Sequence, residues 1–354
     1  MNSIVKILIL AFVISGLTAC NNDSLLTSKE LQLSNQKHKQ LLLETKRAIL
    51  NLDLFLVDKL SSKIDVNDAL ADNSSLLAWA VETQDPRLVH LMLEKGAKTQ
   101  VANGNRFTPI IQACRYGNAE IINALLDHKA DPNSAIEDGT SAFQLCAGSA
   151  SIENLTRMVS LGANITAQNN DGQTALMRSA NFGKVENLNY LISLGASVNH
   201  QTLEGYSTLF FAIKSQNLST VIAAISHGAD LFATAQDGTT PAQLGVYTMN
   251  YEFLTWFAND LSSLMRPEAI KKVLTTFDRN GYQLLHAAVN ANQPQLVSKL
   301  LELGANSMTV SEPSKLKWRY EANFKTENYF PPQLTPIELA EQSDFKNIAL
   351  ILRR

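Results

Sequence analysis

Cysteine and histidine are the side chains best suited to hold a metal, attack a bond or pass a proton. This chain of 354 residues has three of the first and six of the second. Cys20, Cys114 and Cys146 are too few for a disulfide framework. His38, His90, His128, His200, His227 and His286 are scattered, and no His-Glu-x-x-His, Gly-x-Ser-x-Gly, Cys-x-x-Cys or phosphate-cradling glycine loop occurs. Catalysis, a metal and a cofactor are therefore not expected. The chemistry left to side chains is recognition, for which aromatic residues and arginine matter most. With 30 basic and 33 acidic residues and a formal net charge of -3, no basic surplus exists to draw nucleic acid. A hydrophobic share of 45% supports a folded core.

The first residues speak to compartment. Lys6 precedes an apolar run from Ile7 to Ile14, followed by Ser15, Gly16 and then Leu17-Thr18-Ala19-Cys20. A charged head, a short apolar region and small residues before a cut describe a secretory signal, shorter than the about 20 residues that span a bilayer. The ending resembles the lipobox of bacterial lipoproteins. That resemblance implies removal of residues 1–19 and acylation of Cys20. The anchor would be stable, because each buried methylene contributes about 0.8 kcal/mol and several chains are attached. Asn21 at the next position, rather than aspartate, implies the outer membrane, with the protein on its periplasmic face. An ordinary signal with a chance cysteine is the alternative. Residues 20–41 read as a polar tether, part of which could instead extend the first helix. Membrane contact is expected through the acyl chains only.

The rest of the chain repeats. Hexamers of one pattern begin at Ser75 (SLLAWA), Thr108 (TPIIQA), Ser141 (SAFQLC), Thr174 (TALMRS), Ser207 (STLFFA), Thr240 (TPAQLG), Gln283 (QLLHAA) and Thr335 (TPIELA). Five successive intervals are 33 residues; the last two are 43 and 52. Gly139, Gly172, Gly205, Gly238 and Gly281 sit two residues before the hexamer, and a Gly-Ala pair follows 21 residues after its start at Gly96, Gly162, Gly195, Gly228 and Gly304. Asn67, Asn133 and Asn199 recur at twice the period, so a degenerate unit must start near Leu42.

These stretches resemble the TPLHxA signature and GADVN ending of ankyrin repeats. The resemblance implies an all-α solenoid of stacked helix-turn-helix units with projecting fingers, about nine units over 42–354 counting degenerate ends. The units start near 42, 75, 108, 141, 174, 207, 240, 283 and 335. Each position has a physical role. Thr or Ser caps the first helix, and Pro109, Pro241 and Pro336 need no donor at its first turn. Small residues let neighbouring helices approach. The Gly of Gly-Ala adopts the left-handed end of the second helix. One unit cannot bury its own apolar face, so stacking makes the core. His286 stands at the signature's His position, where the side chain bonds a neighbouring turn. His128 and His227, 99 residues apart, fall at second-helix ends, where positive charge suits the dipole. His38, His90 and His200 have no evident partners.

Three places depart from the pattern. The unit at 240 carries extra residues around FANDLSSLMRPEAIKKVL, which predict longer helices or an added turn. The unit at 283 carries a larger insertion, 308–334, with Trp318, Tyr320, Phe324, Tyr329 and Phe330 beside Lys315, Lys317, Arg319 and Lys325. It either contributes to binding or covers the C-terminal core. Cys114 and Cys146 fall on adjacent first helices, whose axes lie about 8–10 Å apart, whereas a disulfide wants alpha carbons within about 7 Å. Two buried thiols are expected rather than a bond.

Ankyrin proteins bind other proteins on the concave face, through residues before the Thr, at finger tips and late in the first helix. Those positions here hold Phe107, Tyr206 and Tyr282, then Arg115, Tyr116, Phe182, Lys214 and Tyr247; with Trp318 and Tyr320 they form the candidate partner-binding set. The expected partner is a protein, bound by a chain that is monomeric when free. Ankyrin-repeat lipoproteins resemble immunity proteins that neutralise phospholipase effectors of type VI secretion, which would make the partner a secreted phospholipase toxin met in the periplasm. A periplasmic scaffold or stress-protection factor assisting a host enzyme is the second reading. An enzyme built on the aromatic insertion is the third and weakest.

Overall fold

The computed structural model describes residues 28–101, 106–264, 266–314, 318–322, 325–329 and 332–354. The signal segment, Cys20 and the first part of the tether lie outside the described residues. So do Lys315, Lys317, Phe324 and Phe330 of the insertion. Nineteen helices and one hairpin make up the described elements. The chain divides into two compact units, 1–97 and 98–354.

The first unit holds two helix pairs: α1 (Ser28–Leu50) with α2 (Leu54–Ser61), and α3 (Leu76–Glu82) with α4 (Pro86–Glu94). The tether expected to reach residue 41 is helical from Ser28 onward. The reason is compositional. From Ser28 to Leu50 there is no glycine or proline, and Lys, Glu, Leu and Gln lose little rotamer freedom in a helix. Only the later part of α1 packs, through Leu42, Ala48 and Ile49. His38 has a partner after all, the Asp68 carboxylate at 2.7 Å. Lys46 lies over the Trp79 ring at 3.6 Å, and the Trp79 indole N–H donates to Ser74.

The second unit repeats one arrangement. First helices α5 (Pro109–Tyr116), α7 (Ala142–Ser149), α9 (Ala175–Asn181), α11 (Thr208–Lys214), α13 (Pro241–Tyr247), α16 (Leu284–Asn290) and α18 (Pro336–Gln342) pack in sequence, each on the next. Second helices α6 (Ala119–Asp127), α8 (Ile152–Ser160), α10 (Val185–Ser193), α12 (Leu218–Ser226), α14 (Tyr251–Leu264), α17 (Pro294–Glu302) and α19 (Lys346–Leu352) form the layer behind. Ser141, Thr174, Thr240 and Thr335 cap their helices by accepting from the backbone N–H three residues on. Thr108 and Ser207 sit at the same position without that bond. The place five residues past the cap is always small and buried: Ala113, Cys146, Ser179, Ala212, Gly245, Ala288 and Ala340. It lets the first helices meet closely, and larger residues such as Phe143, Phe210, Phe253 and Phe257 fill the space between layers, fully buried.

That close approach corrects the expectation for the thiols. Cys114 and Cys146 form a disulfide between α5 and α7, with alpha carbons 4.4 Å apart. The distance between helix axes is a poor guide where two facing positions both carry small side chains. The extra residues of the unit at 240 lengthen α14 to 14 residues and add α15 (Pro267–Thr275), in line with the sequence. The insertion at 308–334 departs from the all-α pattern. It forms an antiparallel hairpin, β1 (Trp318–Ala322) with β2 (Lys325–Tyr329), pairing Trp318 with Tyr329 and Ala322 with Lys325.

No helix among the described residues is long and apolar enough to cross a membrane.

Candidate functional site

Between a second helix and the next first helix, the chain turns out into a finger. In five fingers a glycine two residues before the cap holds the left-handed backbone, with φ between +76° and +87° for Gly139, Gly172, Gly205, Gly238 and Gly281, and Arg106 takes that backbone in the finger before Thr108. Neighbouring fingers are bonded through their backbones: Asn170 N donates to Asp138 O at 2.8 Å, Leu203 N to Asp171 O at 2.9 Å, Gln236 N to Glu204 O at 2.9 Å, and Glu312 N to Gly281 O at 2.9 Å. Such a ladder fixes the finger tips before any partner arrives, which lowers the ordering cost of binding.

The first helices are tied to the fingers by one side chain at a constant place. Gln144 Nε2 donates to Ala167 O and Gln173 O, both at 2.9 Å. Gln243 Nε2 donates to Thr276 O and Tyr282 O. His286, the equivalent residue one unit later, has its Nε2 3.0 Å from Thr309 O and 3.2 Å from Leu334 O. His286 thus has the role the sequence indicated. With two carbonyls at Nε2, that nitrogen carries the proton, while Nδ1 is buried without a hydrogen-bond partner among the described residues. Burial holds the imidazole pKa below its ordinary value despite these two bonds.

A histidine kept neutral by burial binds fewer protons folded than unfolded, so stability rises with pH across its titration. The contribution is complete above the unfolded value of about 6.5 and is lost as pH falls below it. In chemical denaturation at pH 7.5 and pH 5, wild type should lose more stability on acidification than His286→Gln. Glutamine is the fitting replacement because Gln144 and Gln243 already make these bonds. Equal pH slopes would show that His286 titrates normally.

Which candidate residues face solvent? Tyr116 is 48% exposed and Phe182 53%; Arg115 and Lys214 are exposed as well. All four are late in first helices, and they form one face with the fingers. Phe107 is half-buried, with the Arg115 guanidinium 5.6 Å from its ring centre. Tyr206 is half-buried, edge-on to Phe210 at 5.3 Å, with its hydroxyl 3.5 Å from Asp237. Burial, then Asp237, pushes that phenol up. Tyr247 and Tyr282 are committed to the scaffold. The Tyr247 hydroxyl donates to buried Asp278, whose Oδ1 also accepts the backbone N–H of Asn280 and Tyr282. Burial raises both the Tyr247 phenol and the Asp278 carboxyl. Tyr282 stacks flat on His286 with ring centres 5.8 Å apart. Trp318 and Tyr320 lie on β1.

Two features of this face were missed in the sequence. One is a row of carboxylates at finger tips, Asp138, Asp171, Glu204 and Asp237, at a constant three residues before the cap. The other is Arg178, half-buried on α9 with its guanidinium 5.2 Å from the Phe182 ring. Reading the columns of the aligned units for charge rather than for aromatics would have found the first. Among the described residues no three potential metal ligands cluster. His128 and His227 close α6 and α12 as expected. His200, thought partnerless, places Nε2 3.1 Å from Gly172 O, on the preceding finger.

Family models for ankyrin repeats match residues 46–136, as three copies, and residues 171–203. The chain is an ankyrin-repeat solenoid. The human ASB11 ankyrin repeat domain resembles it with a TM-score of 0.50 and 22% identity, over 56% of this chain and 90% of that one. The ankyrin repeat domain of Bcl-3, described as a unique member of the IkappaB protein family, gives a TM-score of 0.47 and 23% identity, over 57% and 92%. In sequence, zygote-specific protein 3 of Chlamydomonas reinhardtii is 35% identical over 103 residues. That stretch is 29% of this chain and spans only 28% of the algal protein. Ankyrin repeats are scaffolds for protein contact, and on this ankyrin solenoid the exposed candidates Arg115, Tyr116, Phe182 and Lys214 lie at the ends of first helices.

Proposed function

We propose that the chain is a non-enzymatic binding protein of the bacterial cell envelope, anchored through acyl chains on Cys20. Its partner is a secreted phospholipase toxin, gripped by the face of fingers and first helices and so neutralised. The observation that carries the binding reading is the exposure of Tyr116 and Phe182 beside Arg115 and Lys214, on helices whose other faces are fully packed. Rigid aromatics and arginine are the usual anchors of protein interfaces. The compartment reading is supported by two features. One is the Leu-Thr-Ala-Cys segment; the other is the Cys114–Cys146 disulfide, since such bonds persist in oxidising compartments and are rare in the cytosol. The immunity role follows from putting a rigid binder where an incoming toxin arrives.

Tyr116→Ala, Phe182→Ala and Tyr206→Phe combined should weaken partner binding by at least about a hundredfold, the worth of two anchor residues, with the thermal midpoint nearly unchanged. Phenylalanine is chosen at 206 because that ring packs on Phe210. Unchanged affinity, read by calorimetry with the partner recovered from cells, would sink the face assignment. For the immunity role, cells lacking the gene should die when a phospholipase effector is delivered to their periplasm, and cells carrying it should survive. Equal killing would remove that role. A pull-down that returned a resident envelope enzyme and no lipase would instead favour the scaffold reading. Cys20→Ser should move the protein from the outer-membrane fraction to the soluble periplasm; continued membrane fractionation would defeat the anchor.

A further inference from the structure

The terminal repeats of a stacked array face water and need a polar outer surface. The last repeat keeps to this: between residues 336 and 354 one large apolar side chain is exposed, Leu350. The first repeat does not. Leu43, Leu50, Leu52, Phe55 and Leu56 are all exposed there, Phe55 at 79%. Four of the five fall within seven residues, at the turn from α1 to α2. That turn is tight. Leu52 takes the left-handed backbone, φ +58°, with its N–H donating to Ile49 O at 3.0 Å, and Asp53 N donates to Ala48 O at 3.0 Å. Leu43 extends the patch along α1, because residues 43, 47 and 50 share one stripe of a helix. A contiguous apolar patch of this kind marks contact with a protein or with a membrane.

The charges around it favour the membrane. The nearby carboxylates are engaged: Asp53 caps α2 by accepting the Leu56 N–H, and Asp58 is held by Lys95 at 2.6 Å. Arg47 on the Leu43–Leu50 stripe, Lys59 one helical turn from Phe55, and Lys63 beyond it are exposed. Residues 28–63 hold seven Lys or Arg and four Asp or Glu, in a chain whose net charge is -3. Lysine is depleted where proteins meet, whereas an apolar tip rimmed by Lys and Arg suits anionic phospholipid.

We propose that the turn from α1 to α2 sits in the headgroup layer of the membrane, with Leu52, Phe55 and Leu56 against the acyl chains and Arg47, Lys59 and Lys63 against anionic phosphates. The proposal rests on the reading of Cys20 as an acyl anchor and adds a second membrane contact to it. Residues 21–27 separate Cys20 from α1, a reach of about 25–30 Å when fully extended. From there α1, of 23 residues, runs about 35 Å to the turn. An anchor this close makes the second contact intramolecular, so an affinity too low to hold a free protein suffices. The turn sets how the first repeat stands on the bilayer; the acyl chains hold the protein there, and their loss still releases it.

The test uses the full mature chain carrying Cys20→Ser, which bears no acyl group. Its probes are sucrose-loaded vesicles at millimolar lipid, either phosphatidylethanolamine with phosphatidylglycerol or phosphatidylcholine alone. The chain should co-sediment with the anionic vesicles, several-fold less with the neutral ones, and less as salt rises. Leu52→Asn with Phe55→Gln should cut binding at least about tenfold, as expected when two apolar side chains no longer bury. The thermal midpoint should stay unchanged, because both side chains are exposed and asparagine tolerates the left-handed backbone. Lys59→Gln with Lys63→Gln should remove the preference for anionic lipid. No binding to either vesicle, or binding unaltered by the Leu52 and Phe55 substitutions, overturns the proposal. So does a concentration-dependent dimer in sedimentation velocity, dissolved by those same substitutions while vesicles leave the chain in solution; the patch would then belong to a second copy. The probe chain has no acyl group, so failure here leaves the anchor at Cys20 standing, and that anchor is decided separately by the fractionation of Cys20→Ser in cells.

Discussion

Replacing Cys114 and Cys146 together by alanine will lower the stability of the full chain by about 3–4 kcal/mol in oxidising buffer, the loop-closure value for a cross-link of this span. The two cysteines are 32 residues apart, so the bridge closes a loop of about one repeat. Both residues are fully buried and each has small neighbours on the facing helix. The variant should therefore lose the cross-link without opening a large cavity. Urea denaturation of wild type, the double variant and Cys114→Ala alone gives the comparison. Both variants should share one midpoint, below wild type, and reductant should bring unfolded-and-refolded wild type down to them. In the native chain the buried bond should resist mild reductant. A wild-type midpoint that matches the double variant under oxidising conditions would mean that the bond does not form, and the support it lends to an oxidising compartment would go with it.

The second large effect is at Gly281. Replacement by alanine should destabilise by about 2–4 kcal/mol, combining backbone strain of about 1 kcal/mol with overpacking of about 1–3 kcal/mol. The residue has φ +76°, and an added methyl would overlap the carbonyl group of Glu312 on the next finger. A backbone oxygen cannot swing aside as a long side chain can. Moving it would also break the bond by which Glu312 N donates to Gly281 O. Gly195 is the internal control. Its φ is +93°, yet nothing lies within 4 Å of where the methyl would stand. Gly195→Ala should cost only the backbone strain of about 1 kcal/mol. Paired thermal denaturation of the two variants separates strain from collision; equal losses would show that the finger contact is looser than described.

These effects show which parts of the molecule could be read from the chain. The period was legible because stacking demands the same chemistry at each joint: a cap, a small residue five places on, a glycine at each bend. The place of His286 was legible for the same reason. What escaped depends on distances that repeat spacing does not contain. Cys114 and Cys146 are 32 apart in a lattice of 33, and only the small side chains between α5 and α7 bring them within bonding reach. Tyr247 stands in the column of exposed Arg115 and Lys214, but a buried Asp278 across the finger claims its hydroxyl. Arg178 stands in a column held elsewhere by Gln112, Leu145, Phe211 and Leu244, so no pattern flagged it. The helix from Ser28 and the hairpin at 318–329 lie where the repeat gives no guidance at all.

The asparagines that first revealed the period have a mechanical consequence. Asn133 Nδ2 donates to Gly162 O at 2.9 Å while its Oδ1 accepts Asn164 N, and Asn199 does the same with Gly228 O and Asp230 N. Each is a rivet between consecutive repeats. Gln100, at the equivalent place, reaches Lys129 O. The same column holds Thr166 and Phe232, which cannot span the gap with an amide. The seam after the repeat at 108, nearest Tyr116, carries the Asn133 rivet and is also welded by sulfur. At the seams after the repeats at 141 and 207 other amides bridge instead, Asn187 Nδ2 to Ala147 O and Ala150 O, and Asn250 Nδ2 to Ile213 O, so under a pull along the solenoid the covalent link is what sets one seam apart. The welded seam beneath the proposed contact would hold its spacing longest.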